Sequence, residues 1–462
     1  MSDTRIGQLA TEKNLFNLTV LIMLFMPLSE IVTDILCDFS EFIFPSVFQP
    51  IIFGIYGVVG TVAVLLFKSV ELTDRKTPKK WYAADLFYLV FVFFMILSAV
   101  FSKNPGVYSD GDPFVGENPA HFLAYFALFF SGSRIKSSDS RRKLVTAFLA
   151  ISAIQGVIAF FQTFNIEIAY CLLIRHDRAA YGLTQNSNYY GGLSVFLLAC
   201  VTGAFLFCER ICNHKALRYV LPFLAGLVFY TMMGSRARLA WIGFAAMILF
   251  YVVSGIVMLK GAVSKEVLKR YFIRLAVIFA VFAAVFAVTH LFTDFWSEEI
   301  YRTQSEIDGT YEAGLGSDRL LNWKYGLESI PHHWATGIGL DNYTEVFFEN
   351  PNWVKGAYYQ AKAHNEYLHI MATQGVFAFA AYMFILFRTI VISIKKIFKG
   401  GDETLQVLDW VFLGMAVTYA AQASLNCGVI NVAMYFWLTM GILNPCDQPL
   451  FRLVKKNPNK YL

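Results

Sequence analysis

Long apolar runs separated by short polar gaps organise this chain, and the runs have the length a bilayer demands. A helix crossing the hydrocarbon core takes about 20 apolar residues in a row. The pattern supplies about twelve such stretches: 15–36, 47–67, 83–101, 119–132, 144–164, 189–208, 217–234, 238–259, 271–292, 364–387, 408–425 and 428–445. The fourth is short and opens with His121, and Pro27, Glu30 and Asp34 crowd the outer half of the first. No linker, low-complexity tract or internal repeat divides them. The pattern therefore predicts a single integral membrane domain over residues 1–462, all-α and polytopic, with about 12 transmembrane helices. Two gaps are long, 165–188 and above all 293–363 between the ninth and tenth stretches. In the latter, Phe295, Trp296 and Tyr301 suit a segment at headgroup level. Gly314 and Gly316 mark a turn; Leu320, Trp323, Leu327 and Ile330 then recur at helical spacing up to Pro331. Gly337-Ile338-Gly339 predicts a tight turn, and lacks the strand and third glycine of a nucleotide motif. A structured loop of this length is usually functional.

Composition agrees: 57% of residues are hydrophobic and 15% charged, against about 25% charged in soluble domains, and the mean hydropathy is +0.52. The formal net charge of +5 is unevenly spread. Alternate gaps are basic, carrying Lys68, Arg75, Lys76, Lys79 and Lys80, then Arg134, Lys136, Arg141, Arg142 and Lys143, and so on to Arg388, Lys395, Lys396 and Lys399. The others are sparse or acidic, as at Asp110, Asp112 and Glu117. By the positive-inside rule both termini are expected in the cytoplasm and 293–363 outside, a count that closes with twelve spans. The charge then reflects topology and implies no nucleic-acid partner. The first apolar run lacks a small-residue cleavage site and reads as an uncleaved anchor. Of seven cysteines, Cys37 and Cys171 fall on the outer side and could pair; Cys208 and Cys212 with His214 form an incomplete zinc set and read as packing.

Four elements of the outer face could carry chemistry. They are Arg175-His176-Asp177-Arg178 with the segment to Asn188, the Gly234-Ser235-Arg236-Ala237-Arg238 turn, Arg319, and His364. Arg236 and Arg238 stand almost within apolar helix ends, where arginine is costly unless it snorkels, pairs or binds an anion. Its planar fork suits phosphate oxygens, so these arginines suggest a diphosphate site; the plainer alternative is anchoring among lipid headgroups, favoured for Arg238. His364 precedes the tenth apolar stretch. A helix start and nearby arginines favour neutral imidazole, which can accept a proton from a hydroxyl; the plainer alternative is a helix cap. His332, His333 and His369 compete for the role, but no metal set is evident.

These residues resemble the O-antigen ligase and O-antigen polymerase family of bacterial membrane glycosyltransferases. The resemblance is most specific over 178–376: Arg178, Gly182 and Asn188; Gly234-Ser235-Arg236; Gly316-Ser317-Asp318-Arg319 and Trp323; Pro331 to Gly337-Ile338-Gly339; and His364-Asn365 through Leu368 to Gly375. It implies a GT-C-like fold with the large, partly helical extracytoplasmic loop, and transfer of a glycan from an undecaprenyl-diphosphate carrier to a glycan, lipid or other hydroxyl acceptor. It further implies action at the outer face of the cytoplasmic membrane, without a nucleotide, cofactor or required metal. By residue match, Arg236 and Arg319 look like diphosphate-binding arginines, His364 like the base, and Arg178 and Asn188 like part of the donor pocket, with Arg238 nearby. The sequence departs from the family pattern at His369, where an apolar or small residue is more usual, and at Gln374, where an acidic one is. A ligase and a polymerase differ only in the acceptor, which the sequence does not specify. A transporter or flippase would call for midplane charges or broken helices; Gln155 is the main polar exception in the runs.

Overall fold

The computed structural model describes residues 11–39, 48–73, 79–104, 117–166, 179–184, 186–212, 216–258, 265–308, 318–354, 359–399, 401–446 and 451–453. Each apolar stretch is a helix: α1 (Glu12–Phe39), α2 (Phe48–Thr73), α3 (Ala83–Val100), α4 (Pro119–Arg134), α5 (Ser138–Gln162), α6 (Ser187–Leu206), α7 (Leu217–Gly234), α8 (Arg238–Met258) and α9 (Lys265–Phe292). The long loop contributes α10 (Phe295–Ile307) and α11 (Arg319–Ser329), and the bundle closes with α12 (Glu366–Phe398), α13 (Glu403–Gln422) and α14 (Ile430–Leu443). Ten of these helices are long and apolar enough to cross a membrane. The protein is an all-α, multi-pass membrane protein. One feature without a sequence signal is a small antiparallel pair, β1 (Lys79–Trp81) with β2 (Phe451–Leu453).

Peripheral helices turn large apolar side chains outward, among them Ile51, Ile55 and Val62 of α2, Phe93 and Ile96 of α3 and Leu249 of α8. Lipid rather than water suits such a belt. The centre is made differently. With 16 and 14 residues, α4 and α14 are roughly 24 and 21 Å long at 1.5 Å per residue, short of the hydrocarbon core. They pack along one another with their backbones touching: a Cβ at Gly441 would overlap the Phe129 carbonyl. Residues Ala124 to Arg134 are buried without interruption, as is nearly all of α14. Surrounded by protein, these helices need not match the lipid thickness.

At one end of α4, Arg134 meets Asp85 at 2.5 Å, and Lys68 reaches Asp85 and Glu71 at 2.6 Å each. Nearby, Arg141 pairs with Asp409 and donates to the carbonyls of Ile135 and Ile442 at 3.0 and 3.1 Å. Three cations that read as solvated topology markers are thus buried ties between helices, because the bundle closes over them. At the other end, Glu117 just ahead of α4 enters a second charged cluster together with Asp341 and Lys362.

α12 is broken at Gly375, where φ is 86° and ψ 170°. Loop residues 334–339 occupy the break. The Trp334 carbonyl accepts from the Val376 N–H at 2.8 Å, while the N–H groups of Ile338 and Gly339 donate to the carbonyls of Ala372 and Thr373 at 2.9 and 3.1 Å. A Cβ at Gly337 (φ 72°) would overlap Thr373, and one at Gly375 would overlap the Ala335 carbonyl, so the crossing requires glycine on both sides. The Gly337–Gly339 turn was legible in sequence; its insertion into a neighbouring helix was not, and neither was the interruption of the tenth apolar run.

Candidate functional site

His364 does not cap α12. Asn365 does, its side chain accepting the Leu368 N–H at 3.1 Å. His364 precedes the cap with φ at 49°, a left-handed conformation that costs a non-glycine residue about 1–2 kcal/mol. Its neighbours account for the persistence of that conformation. Asn322 Nδ2 donates to the Lys362 carbonyl at 3.1 Å and Trp323 Nε1 to the Ala363 carbonyl at 2.9 Å. The backbone of His364 and Asn365 lies against the sulfur of buried Cys427, and the Glu366 N–H bonds the Ala423 carbonyl at 2.9 Å.

Arg319, Asn322 and Trp323 stand at i, i+3 and i+4 of α11, hence on one face. The helix that grips the backbone before His364 thereby also carries Arg319, whose charge acts on the imidazole. Burial first, and then the charge of Arg319, push the His364 pKa down to about 4, with His369 and Lys362 adding to the effect. The sequence reading invoked the helix end and the arginines; burial is the larger cause. Nε2 of His364 faces Gln360 Oε1 at 3.2 Å; in the tautomer in which Nε2 donates to that oxygen, Nδ1 is the basic nitrogen. Nδ1 is buried with no hydrogen-bond partner, a condition rare enough in native interiors to call for an explanation.

Arg236 lies in the turn between α7 and α8, also with left-handed φ, 55°. Ser235 Oγ stabilises the turn by donating to the Met232 carbonyl at 2.6 Å and accepting the Ala237 N–H at 3.3 Å. The Arg236 guanidinium lies over the Phe295 ring, 5.6 Å from its centroid. The start of α6 packs on this turn: a Cβ at position 191 would come within 3.0 Å of Ser235 Oγ, and one at 192 within 2.8 Å of Asn426 Nδ2. α6 thus lies between the Arg236 turn and the segment whose Cys427 backs His364, so both sit at the same end of the bundle. Asn188 is partly buried in the first turn of α6, where its N–H donates to the Asn186 cap at 2.8 Å. Arg238 turns aside, Nη2 donating to Thr303 of α10 at 3.2 Å. Gln155 and Gln162 act from below: Gln155 Oε1 accepts the Leu183 N–H at 2.8 Å, and Gln162 Oε1 accepts those of Tyr181 and Gly182 at 3.1 and 2.7 Å. Arg178, with Arg175, His176, Asp177 and Cys171, lies outside the described residues, as do Gly314, Gly316, Ser317 and His214; Cys37 lies in α1, its side chain outside the description.

Sequence reasoning passed over Lys362, Asp341 and Glu117. Lys362 Nζ meets Glu117 Oε2 at 3.0 Å and also pairs with Asp341 Oδ1, which faces His369 Nε2 at 3.2 Å. The one signal available was a lysine two positions before His364 in a gap otherwise poor in basic residues. Of the competing histidines, His333 is engaged by Glu349 at 2.7 Å, away from this cluster.

Residues 223–383, from within α7 past the break in α12, match the family model described as O-antigen ligase. Over this segment the chain is similar to the O-antigen ligase family. No curated protein sequence matches the chain. The O-antigen ligase segment contains Arg236, Arg319, Asp341, Lys362 and His364, as well as both glycines of the helix break, whereas Glu117 and Asn188 come from outside it. The match supports a function of the O-antigen ligase/polymerase type.

Proposed function

We propose that the protein transfers a glycan from an undecaprenyl-diphosphate carrier to an acceptor hydroxyl with inversion at the anomeric carbon, as a ligase. The acceptor oxygen forms a bond to that carbon as its proton passes to Nδ1 of His364. The bond from the same carbon to the diphosphate oxygen breaks, and its electron pair leaves with the diphosphate. Arg236 and Arg319 offset the charge that develops there, which lets the leaving group depart without a general acid or a metal. Arg178 and Asn188 contribute to the donor pocket, and Arg238 flanks it. On this reading the His364 end faces the outside of the cytoplasmic membrane, both termini are cytoplasmic, the whole chain forms one membrane domain, and 293–363 is the extracytoplasmic loop.

The observation that carries the proposal is His364 itself: strained, beside Arg319, held neutral, with a buried nitrogen that a hydroxyl donor would satisfy. Incubating the purified protein with undecaprenyl-diphosphate oligosaccharide and an acceptor tests it. Transfer to a new acceptor is expected; a ladder of longer carrier-linked glycans would assign polymerase instead, and no transfer from any carrier would sink both. The break in α12 resembles the interrupted helices of transporters. Here, however, loop backbone fills the break and consumes the freed carbonyls of Ala372 and Thr373, which favours a rigid support over an ion path.

A further inference from the structure

We propose that Lys362 is the positioning residue for His364: clamped between Glu117 and Asp341, it holds the backbone leading to His364 in the conformation that turns the imidazole toward Arg319. The inference rests on the reading of His364 as base.

Lys362 is 2% exposed. Its Nζ meets Glu117 Oε2 at 3.0 Å and pairs with Asp341 Oδ1. The carboxylates are themselves held. Glu117 accepts from the Tyr125 hydroxyl, and Asp341 Oδ2 accepts the Glu117 N–H at 2.6 Å. His369 Nε2 completes the set on Asp341 Oδ1. One ammonium group thus joins three segments remote in sequence: the approach to α4, the turn ending at Asp341, and the link into α12. Burial alone would lower the Lys362 pKa, but the carboxylates of Asp341 and Glu117 outweigh it and raise it well above the usual range. Burial would likewise raise that of Asp341, and Lys362, then His369, bring it below the usual range. Lys362 and Asp341 therefore each favour the charged form of the other.

Left-handed φ at a bulky residue persists only where the surroundings over-determine it. Around His364 the other restraints are neutral hydrogen bonds, from Asn322 and Trp323, to Gln360 and from the Glu366 N–H to the Ala423 carbonyl. Lys362 supplies the charged one, two residues away. Buried as it is, it acts through His364 and not on a substrate.

The test uses the full-length protein. Lys362→Met alone leaves two carboxylates unpaired in the interior and risks unfolding, so it is accompanied by the neutral combination Lys362→Met with Glu117→Gln and Asp341→Asn. Carbethoxylation of His364 by diethyl pyrocarbonate, read by mass spectrometry across pH, reports its exposure and titration independently of activity. Arg319, His369 and Lys362 are the charged or titratable groups facing the ring, with Cys427 behind it. In the folded neutral variant, His364 is expected to react several-fold faster, and the midpoint of its titration to rise from about 4 toward the ordinary 6.5. The kcat for transfer should fall by about 10²-fold, the scale for a displaced catalytic group, with the donor KM little changed. Unaltered reactivity, midpoint and kcat would overturn the proposal. If His364→Ala transfers as well as the parent, the base reading fails, while the labelling still decides whether Lys362 positions the ring.

Discussion

Two clusters of buried charge sit at opposite ends of the bundle, and they are built differently. Around Arg134 and Arg141 each cation faces a carboxylate from an ordinary helical backbone: Asp85 serves Arg134 and Lys68, and Asp409 serves Arg141 and Lys396. Around His364 the charges are buried as deeply, but the chain carrying them is strained. Among the described residues, all five non-glycine positions with left-handed φ (Asn165, Arg236, Asp318, Asp341 and His364) lie at this end, and a ring nitrogen of His364 is left without a partner. Burial of charge therefore does not by itself mark a site, since a paired cation in regular helix serves as a tie. A buried atom without a partner occurs in both clusters, at Arg134 Nε as well as at His364 Nδ1, so backbone strain is what distinguishes the end where chemistry is expected.

Substitution can break that distinction. His364→Ala should lower transfer by about 10²–10⁴-fold, the usual contribution of a general base, with donor binding and thermal stability retained. A variant that keeps its rate would reduce the strained end to another structural tie. Arg141→Met should show the opposite profile, a loss of up to about 3–5 kcal/mol because buried Asp409 keeps only Lys396 as a charged partner, with unchanged turnover per folded molecule. Thermal unfolding in detergent measures this, and adding Asp409→Leu should recover most of the loss. Arg319→Gln should slow transfer by about 10²-fold through lost charge stabilisation. It should also move the acid limb of the pH–rate profile upward from its position near pH 4, because Arg319 helps to depress the His364 pKa.

A further effect concerns stability and pH. Folded His364 titrates near 4, below the 6.5 of an unfolded histidine. Between those values the unfolded chain binds the extra proton, so acidification destabilises the fold through that window and no further below it. His364→Gln should abolish this component; an unchanged pH dependence of unfolding would show that the ring is not held neutral in the protein.

The helices were legible because hydrophobic length is a local property. A run such as 238–259 has few alternatives in lipid, and the structure places α8 on it at Arg238–Met258. Arg236 and His364 could be picked out singly, as polar residues at apolar boundaries, and Arg319 as a cation of the large loop. Lys362, Asp341 and Glu117 could not, since each looks like a solvated loop charge until the fold closes over it. Likewise, Gly375 reads as an ordinary residue of a long helix until residues 334–339 occupy its place in the hydrogen-bond ladder.

By itself the sequence determined an all-α membrane protein, the approximate extent of its helices and the residue types available for phosphate binding and proton transfer, because these follow from composition and spacing along the chain. Only the tertiary structure decided that α4 and α14 form a short, lipid-shielded centre and that Asn365, not His364, caps α12. It likewise decided that a lysine lies clamped beside the candidate base. Backbone strain, desolvation and ion pairing depend on segments far apart in sequence, and they acquire values only when those segments meet.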